Sequence, residues 1–278
     1  MLRLGEVQEL EIAKLVDFGV YLSETGGEER VLLPRREVPE GAAAGQKLSV
    51  FLYRDSQDRL IATTRTPALT LGGLAVLKVR QTGKIGAFLD WGLEKDLMLP
   101  FREQTRRVKE GEEVLIALYQ DKSGRLCATM NVYPYLKQNS PYRPGDTVRG
   151  RIYETSRNFG LFVAVDDLYS GLIPAFEASP SLRIGDTVEA RVTNVKEDGK
   201  LDLSVRDKAY LQIDEDAQLV LRVIEEYAGA LPFGEKVPPE VIKREFGLSK
   251  NAFKRAVGRL LKEGKIEVKE NAIVLKDR

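Results

Sequence analysis

Along residues 1–210 the hydrophobic positions recur at every second residue in short runs, each closed within a few residues by Gly, Asp, Asn or Pro. That period sends alternate side chains to opposite faces and predicts half-buried β-strands. The runs also repeat as a set. "LRLGEVQELEIAKLVDFGVYL" (2–22) aligns with "LTLGGLAVLKVRQTGKIGAFL" (69–89), matching Ile12 with Val79, Gly19 with Gly86 and Tyr21 with Phe88. "FLYRDSQDRLIATT" (51–64) aligns with "ALYQDKSGRLCATM" (117–130). A third copy runs through "PGDTVRGRIYETSRNFGLFV" (144–163) and "GDTVEARVTNVKEDGKLDLSV" (185–205), with one extra residue before Gly160. The midpoints correspond as Leu33-Pro34-Arg35-Arg36-Glu37, Leu99-Pro100-Phe101-Arg102-Glu103 and Ile173-Pro174-Ala175-Phe176-Glu177. Each copy holds about five strand-like runs in roughly 65 residues, the spacing of a small all-β barrel rather than a sandwich.

After about residue 210 the period lengthens to that of helices. "DEDAQLVLRVIEEYAG" sets Val220, Val223, Ile224 and Tyr227 at helical spacing, with acids in the first turn and Gly229 beyond the end. "VPPEVIKREFG" reads as a shorter helix opened by Pro and closed by Gly247. In "LSKNAFKRAVGRLLKEG", Ser249 is the expected N-cap, and Phe253, Ala256, Val257, Leu260 and Leu261 form an apolar stripe. "KIEVKENAIVLK" adds a hairpin around Glu270-Asn271. Three helices and a hairpin describe a winged helix-turn-helix. Between the second and third barrels lies a semi-rigid Pro- and Tyr-rich linker, "NVYPYLKQNSPYRPG".

Composition narrows the chemistry. There is no histidine, which removes the usual general base and the commonest metal ligand. One cysteine, Cys127, excludes an internal disulfide and suits a reducing compartment; its strand-like setting reads as a small buried hydrophobe. The adjacent acid pairs Glu28-Glu29, Glu112-Glu113 and Asp166-Asp167 sit in turn-like or strand-start settings where neighbouring side chains diverge. No phosphate-cradling Gly loop with Lys follows a strand. A non-enzyme without cofactor or metal is expected. The N-terminus carries charges where a signal peptide is apolar, and no run reaches membrane-spanning length, so a cytoplasmic protein without a membrane partner is expected. The net charge of +1 means that any nucleic-acid affinity must come from local patches. Residues 1–66 carry 9 Lys+Arg against 11 Asp+Glu, and residues 231–278 carry 12 against 7, which places the positive patch in the last domain.

"DFGVYL", "NFGLFV", "SGLIPAFE" and "GKLDLSV" resemble the signature of the S1-type RNA-binding domain, an OB-fold barrel. The third copy resembles it most and the second least, having Lys84-Ile85-Gly86 where Phe-Gly is usual. The tail "PPEVIKREFGLSKNAFKRAVGRLLKEGKIEV" resembles the winged helix of the bacterial conserved virulence factor B, or YitL-like, family. The resemblance implies a multidomain, mainly β chain with a C-terminal α+β domain. Its parts are S1-type barrels at 1–66, 67–130 and 144–208, a linker at 131–143 and a winged helix at 212–278. It also implies RNA binding and effects on gene expression.

OB-type barrels stack bases of single strands on exposed aromatics beside a positive groove. By resemblance, Phe159 and Phe162 are the stacking rings of the third barrel, repeated by Phe18 and Tyr21 in the first and by Phe88 alone in the second. In a regular strand Phe159 and Phe162 would face opposite ways, so a bulge at Gly160 is expected if both reach one surface; the alternative is that both are core. S1-type domains also carry an Asp and, four places on, an Arg near the nucleotide, matched by Asp55/Arg59 and Asp121/Arg125; the third copy holds Lys196 and Lys200 there, more positive and a departure at the first position. The bland reading makes these turn residues. Where many members place a histidine, this chain has Pro34, Pro100 and Pro174, and either Phe101 and Phe176 substitute or they pack at the barrel edge. Arg157 adds a cation before the third copy's ring. On the last long helix Asn251, Arg255, Arg259 and Lys262 share a face, with Lys254 at its margin, suited to phosphates or to solvent.

The expectation is a non-catalytic protein that binds single-stranded RNA and regulates bacterial gene expression, virulence included, after transcription. Two other readings stand beside it: a winged-helix regulator of duplex DNA, and an adaptor that docks on the ribosome, a nuclease or another RNA-processing protein.

Overall fold

The computed structural model describes every residue except 179–180, 206–207, 235–236, 270–271 and 277–278, and the side chains of 208–212. The first repeat forms β1 (Val7–Val16), β2 (Gly19–Ser23), β3 (Val31–Pro34), β4 (Lys47–Arg54) and β5 (Leu60–Thr63). They close into a barrel in the order β1-β2-β3-β5-β4. All neighbours are antiparallel except β3 and β5, joined in parallel at Leu32 and Ile61. The third repeat has the same order and also closes.

Between them the second repeat contains β6 (Leu74–Thr82), β7 (Gly86–Asp90), β8 (Leu97–Pro100), β9 (Glu113–Gln120) and β10 (Leu126–Thr129). The strands β11 (Thr147–Ser156), β12 (Gly160–Val165), β13 (Tyr169–Pro174), β14 (Thr187–Val195) and β15 (Leu201–Ser204) make the third. The second repeat keeps the strand order, and β8 lies beside β10 as β3 lies beside β5, but among the described residues no hydrogen-bonded ladder joins β8 to β10.

Alternation decides what fills each barrel. Leu10, Ile12, Val20, Leu22, Leu33, Val50 and Leu52 are buried inside the first. Phe51 and Tyr53 point the other way from β4 and are buried instead by the second repeat, where Trp91 meets Phe51 edge to face at 5.7 Å and Tyr53 at 6.4 Å. A second contact cluster joins the second repeat to the third. Leu115, Val132, Leu136, Tyr153 and Ala164 are buried together, with Leu74, Val76 and Phe162 against them. The linker is docked rather than free. Lys137 bridges to Tyr169 beside β13, and its N–H donates to the Leu168 carbonyl at 2.8 Å.

The C-terminal unit, residues 206–278, forms α1 (Lys208–Glu226), β16 (Ala230–Leu231), α2 (Pro239–Phe246), α3 (Lys250–Lys262), β17 (Ile266–Lys269) and β18 (Ala272–Leu275). Helix α1 begins six residues before the acidic segment, so Asp214-Glu215-Asp216 lie within it and not in its first turn. Tyr227 lies beyond α1, where its hydroxyl donates to Glu245 at 2.8 Å. Gly247 ends α2 with φ 68°, and the Ser249 hydroxyl accepts from the Ala252 N–H at 3.2 Å to start α3. Val220, Ile224, Ile242, Phe253, Val257, Leu260 and Ile273 form the core, while Leu261, read as part of the apolar stripe, is 45% exposed. β16 adds to β18 a third strand that no sequence signal predicted. The hairpin turn at Glu270-Asn271 lies outside the described residues.

Candidate nucleic-acid interface

The expected ring positions do not behave alike. Phe18 and Phe159 are 58% and 64% exposed, each in the turn just before a strand that starts with glycine. A Cβ on Gly19 would stand 2.1 Å from the Leu33 carbonyl oxygen, and one on Gly160 2.0 Å from that of Ile173. Gly86 meets Leu99 at 2.3 Å in the same way. Only glycine lets the turn cross this close to the end of the third strand. The crossing is pinned by an amide: Arg35 N–H donates to the Phe18 carbonyl at 2.9 Å, and Ala175 N–H to that of Phe159 at 3.1 Å.

The bulge expected at Gly160 lies elsewhere. Register slips on the partner strand, between Ile152 and Glu154, which leaves Tyr153 as the extra residue. β1 and β6 slip at the same place, between Ile12 and Lys14 and between Val79 and Gln81. Phe159 turns outward because it lies in the turn before Gly160, whose φ of 118° opens β12, while Leu161 and Val163 fill the barrel.

Phe162 is half-buried, tilted against Tyr153 with centroids 6.2 Å apart in the contact with the second repeat. Tyr21 is half-buried too, but edge-on to Phe18 at 6.3 Å on the outside of its barrel. Phe88 is half-buried, and Ile85 occupies the exposed ring site of the second repeat at 58% exposure. Phe101 is 38% exposed with the Arg107 guanidinium 3.8 Å over its centroid, a cation–π contact that covers one face. Phe176 and Arg157 are exposed.

The loop cations are largely engaged within the chain. Arg59 grips Asp55 with two nitrogens at 2.7 and 2.9 Å, and its own N–H donates to the same carboxylate at 3.0 Å. Burial pushes the Asp55 carboxyl up, but the bonds from Arg59 and Gln57 outweigh it and hold the group below the usual carboxylate range. Arg125 reaches across to Asp58 of the first barrel at 3.2 Å. Lys196 pairs with Asp202 at 3.2 Å. Lys200 pairs with Asp198 at 2.8 Å and lies 5.7 Å from the Tyr133 ring of the linker.

On α3, Asn251, Lys254, Arg255 and Lys262 are exposed on one face, around Gly258, whose missing Cβ would meet nothing within 4 Å. Arg259 leaves that set. It is drawn in against Asp214 of α1 and pairs with Glu263 at 2.9 Å, so it ties helices together. Trp91, Arg54 and Arg107 belong to the local geometry and were not expected; Trp91 and Arg54 act on residues of another repeat, and Arg107 on Phe101 within the β8–β9 connection, which spacing alone does not reveal.

Comparison with known proteins agrees with this architecture. The family model of the S1 domain matches residues 4–65 and 71–131, that of the second domain of virulence regulatory factor CvfB matches 137–207, and that of the CvfB-like winged helix matches 218–275. YitL of Bacillus subtilis is 31% identical over 95% of this chain and 91% of its own length. Conserved virulence factor B of Staphylococcus epidermidis is 30% identical over 98% of this chain and 94% of its own. A crystal structure from Streptococcus pneumoniae, described as a multidomain protein with nucleic acid binding domains, has the same fold at a TM-score of 0.50 and 24% identity, covering 98% of both chains.

Proposed function

The chain belongs to the conserved virulence factor B family, and from that membership and the placement of its rings we propose that it binds single-stranded RNA without catalysis, in post-transcriptional control of gene expression. The observation that carries the proposal is the pair of outward rings, Phe18 and Phe159, each held off its barrel by a glycine crossing that no other residue fits. Stacking on such rings is worth about 1–3 kcal/mol per base and accepts any sequence. A chain of net charge +1 has little long-range attraction for phosphate, so contacts of this short-range kind must supply much of the affinity. The complete lack of histidine supports the non-catalytic part.

The exposed cations of α3 favour a second reading, in which the winged helix engages duplex DNA and the barrels serve other contacts. Labelled single-stranded RNA and duplex DNA, titrated at two salt concentrations against wild type and the double variant Phe18→Ala/Phe159→Ala, separate the two. The proposal expects RNA to bind more tightly and the double variant to lose roughly 2–6 kcal/mol. Preference for duplex, unaffected by the ring substitutions, sinks it.

A further inference from the structure

The linker between the second and third repeats is folded onto the third barrel, and one of its rings is left facing solvent. Val132 and Leu136 are buried with Leu115, Tyr153 and Ala164, and between them Tyr133–Tyr135 make one turn of 3-10 helix. Lys137 then runs parallel to the start of β13. Its N–H donates to the Leu168 carbonyl at 2.8 Å, and its carbonyl accepts from the Ser170 N–H at 3.1 Å. The 196–200 turn of the barrel packs against the same segment. Gly199, at φ 79°, passes so close that a Cβ there would stand 1.9 Å from the Gln138 carbonyl oxygen. The backbone that carries Tyr133 is therefore held on the barrel from both sides.

The linker tyrosines are not used alike. Tyr142 donates to Asp166 and meets Tyr169 edge to face at 6.3 Å, and Tyr135 is half-buried. Tyr133 is 47% exposed, with the Lys200 ammonium 5.7 Å from its ring centroid. Leaving that much of a large ring in water forgoes apolar burial, and the turn does not depend on it, because Val132 and Leu136 are its anchors. Its place on the barrel is informative. Phe159 lies at one end of β13, where its carbonyl accepts from the Ala175 N–H. Lys200 and Tyr133 lie towards the other end, since Leu201 pairs with Gly171. Ser170 to Pro174 spans about 13 Å at the rise of a strand. Between the ends the outward row Phe162–Leu172–Asp202 crosses the sheet.

We infer that the linker is part of the third barrel's nucleic-acid site, and that Tyr133 stacks one base of a bound single strand at the end of the groove away from Phe159. The inference rests on the proposed RNA binding and adds to it a residue from outside the three repeats, to which no ring of the shared barrel pattern corresponds. Lys200 stands beside the ring for the phosphate of the same nucleotide. Its surface pairing with Asp198 is of the weak kind that a phosphate replaces. Because every base has a π-face, this subsite adds affinity and footprint, not base preference.

The full chain is titrated against a labelled oligouridylate of roughly 12 nucleotides, within the site size of one OB barrel, and binding is followed by anisotropy well below the melting temperature of each variant. Tyr133→Leu keeps apolar bulk on the turn and removes the ring; it should weaken binding about 5- to 150-fold. Tyr133→Phe keeps the ring and should bind as the wild type does. Both variants should melt with the wild type, since the anchors of the turn are untouched. Wild-type affinity in Tyr133→Leu overturns the inference. So do equal losses in Tyr133→Leu and Tyr133→Phe, which would assign the effect to the hydroxyl. In either case the RNA-binding proposal stands as long as Phe18→Ala/Phe159→Ala still loses affinity. No binding of the oligonucleotide by the wild-type chain overturns both.

Discussion

Phe51 of the first barrel and Trp91 of the second repeat meet edge to face, their ring centroids 5.7 Å apart and both side chains buried. The two repeats therefore share a core although each has its own sheet. Trp91→Ala should destabilise the chain by about 3–5 kcal/mol, the usual cost of deleting a buried large aromatic. A urea midpoint that does not move would show the contact to be dispensable.

Two glycines predict opposite outcomes. Gly160→Ala puts a Cβ 2.0 Å from the Ile173 carbonyl oxygen at φ 118° and should cost roughly 3 kcal/mol or more. Gly258→Ala, in the middle of α3 with nothing within 4 Å, should add about 0.8–1 kcal/mol through helix propensity. Thermal denaturation of the two variants checks both signs.

The two rings of the third barrel should separate in the same way. Phe159→Ala leaves the melting temperature unchanged and weakens single-stranded RNA by about 1–3 kcal/mol. Phe162→Ala, half-buried against Tyr153, lowers stability by about 1–3 kcal/mol. Equal effects on stability would contradict the difference in their exposure.

Within the winged helix, Arg259→Ala should reduce stability by about 1–2 kcal/mol, because it removes charged hydrogen bonds to Asp214 and Glu263. The double change Lys254→Ala/Arg255→Ala should leave stability intact. If this face contacts phosphate, it should lower the salt slope of nucleic-acid binding by about 2. The readout is affinity measured across a salt series.

Alkaline pH should unfold the barrels early. Burial, with a smaller push from Asp121, raises the Cys127 thiol from 9.0 to about 11. Burial, with the Glu37 and Glu94 charges, raises the Tyr53 phenol. Below pH 9 these groups are neutral in both folded and unfolded chains, and their contribution to stability is fully present. As pH climbs from 9 towards 11 the unfolded chain loses its thiol proton first, so the Cys127 contribution, about 2–3 kcal/mol, is lost across that window. Denaturation midpoints that stay flat from pH 9 to 11 would refute this. The same shift makes Cys127 slow to react with iodoacetamide near neutrality.

Much of the architecture was legible in linear order. Period-2 runs and their internal repetition named three small β units, and Ser249, Pro238 and Gly247 marked helix ends that the structure keeps within a residue or two. The site was legible only as a set of positions. Lys200, Phe162 and Arg259 have the residue types of a binding surface, yet each is engaged by another part of the chain.

By itself the sequence determined the local terms: strand and helix periods, turn glycines, caps, and the removal of histidine chemistry. These depend on neighbours a few residues away, and spacing encodes them. Tertiary structure alone decided which aromatic rings stay outside, where the bulges fall and that a cavity forms against the first barrel. Those outcomes depend on contacts between residues tens of positions apart, such as Arg125 with Asp58 and Trp91 with Phe51, where packing and charge pairing compete for side chains that periodicity cannot tell apart.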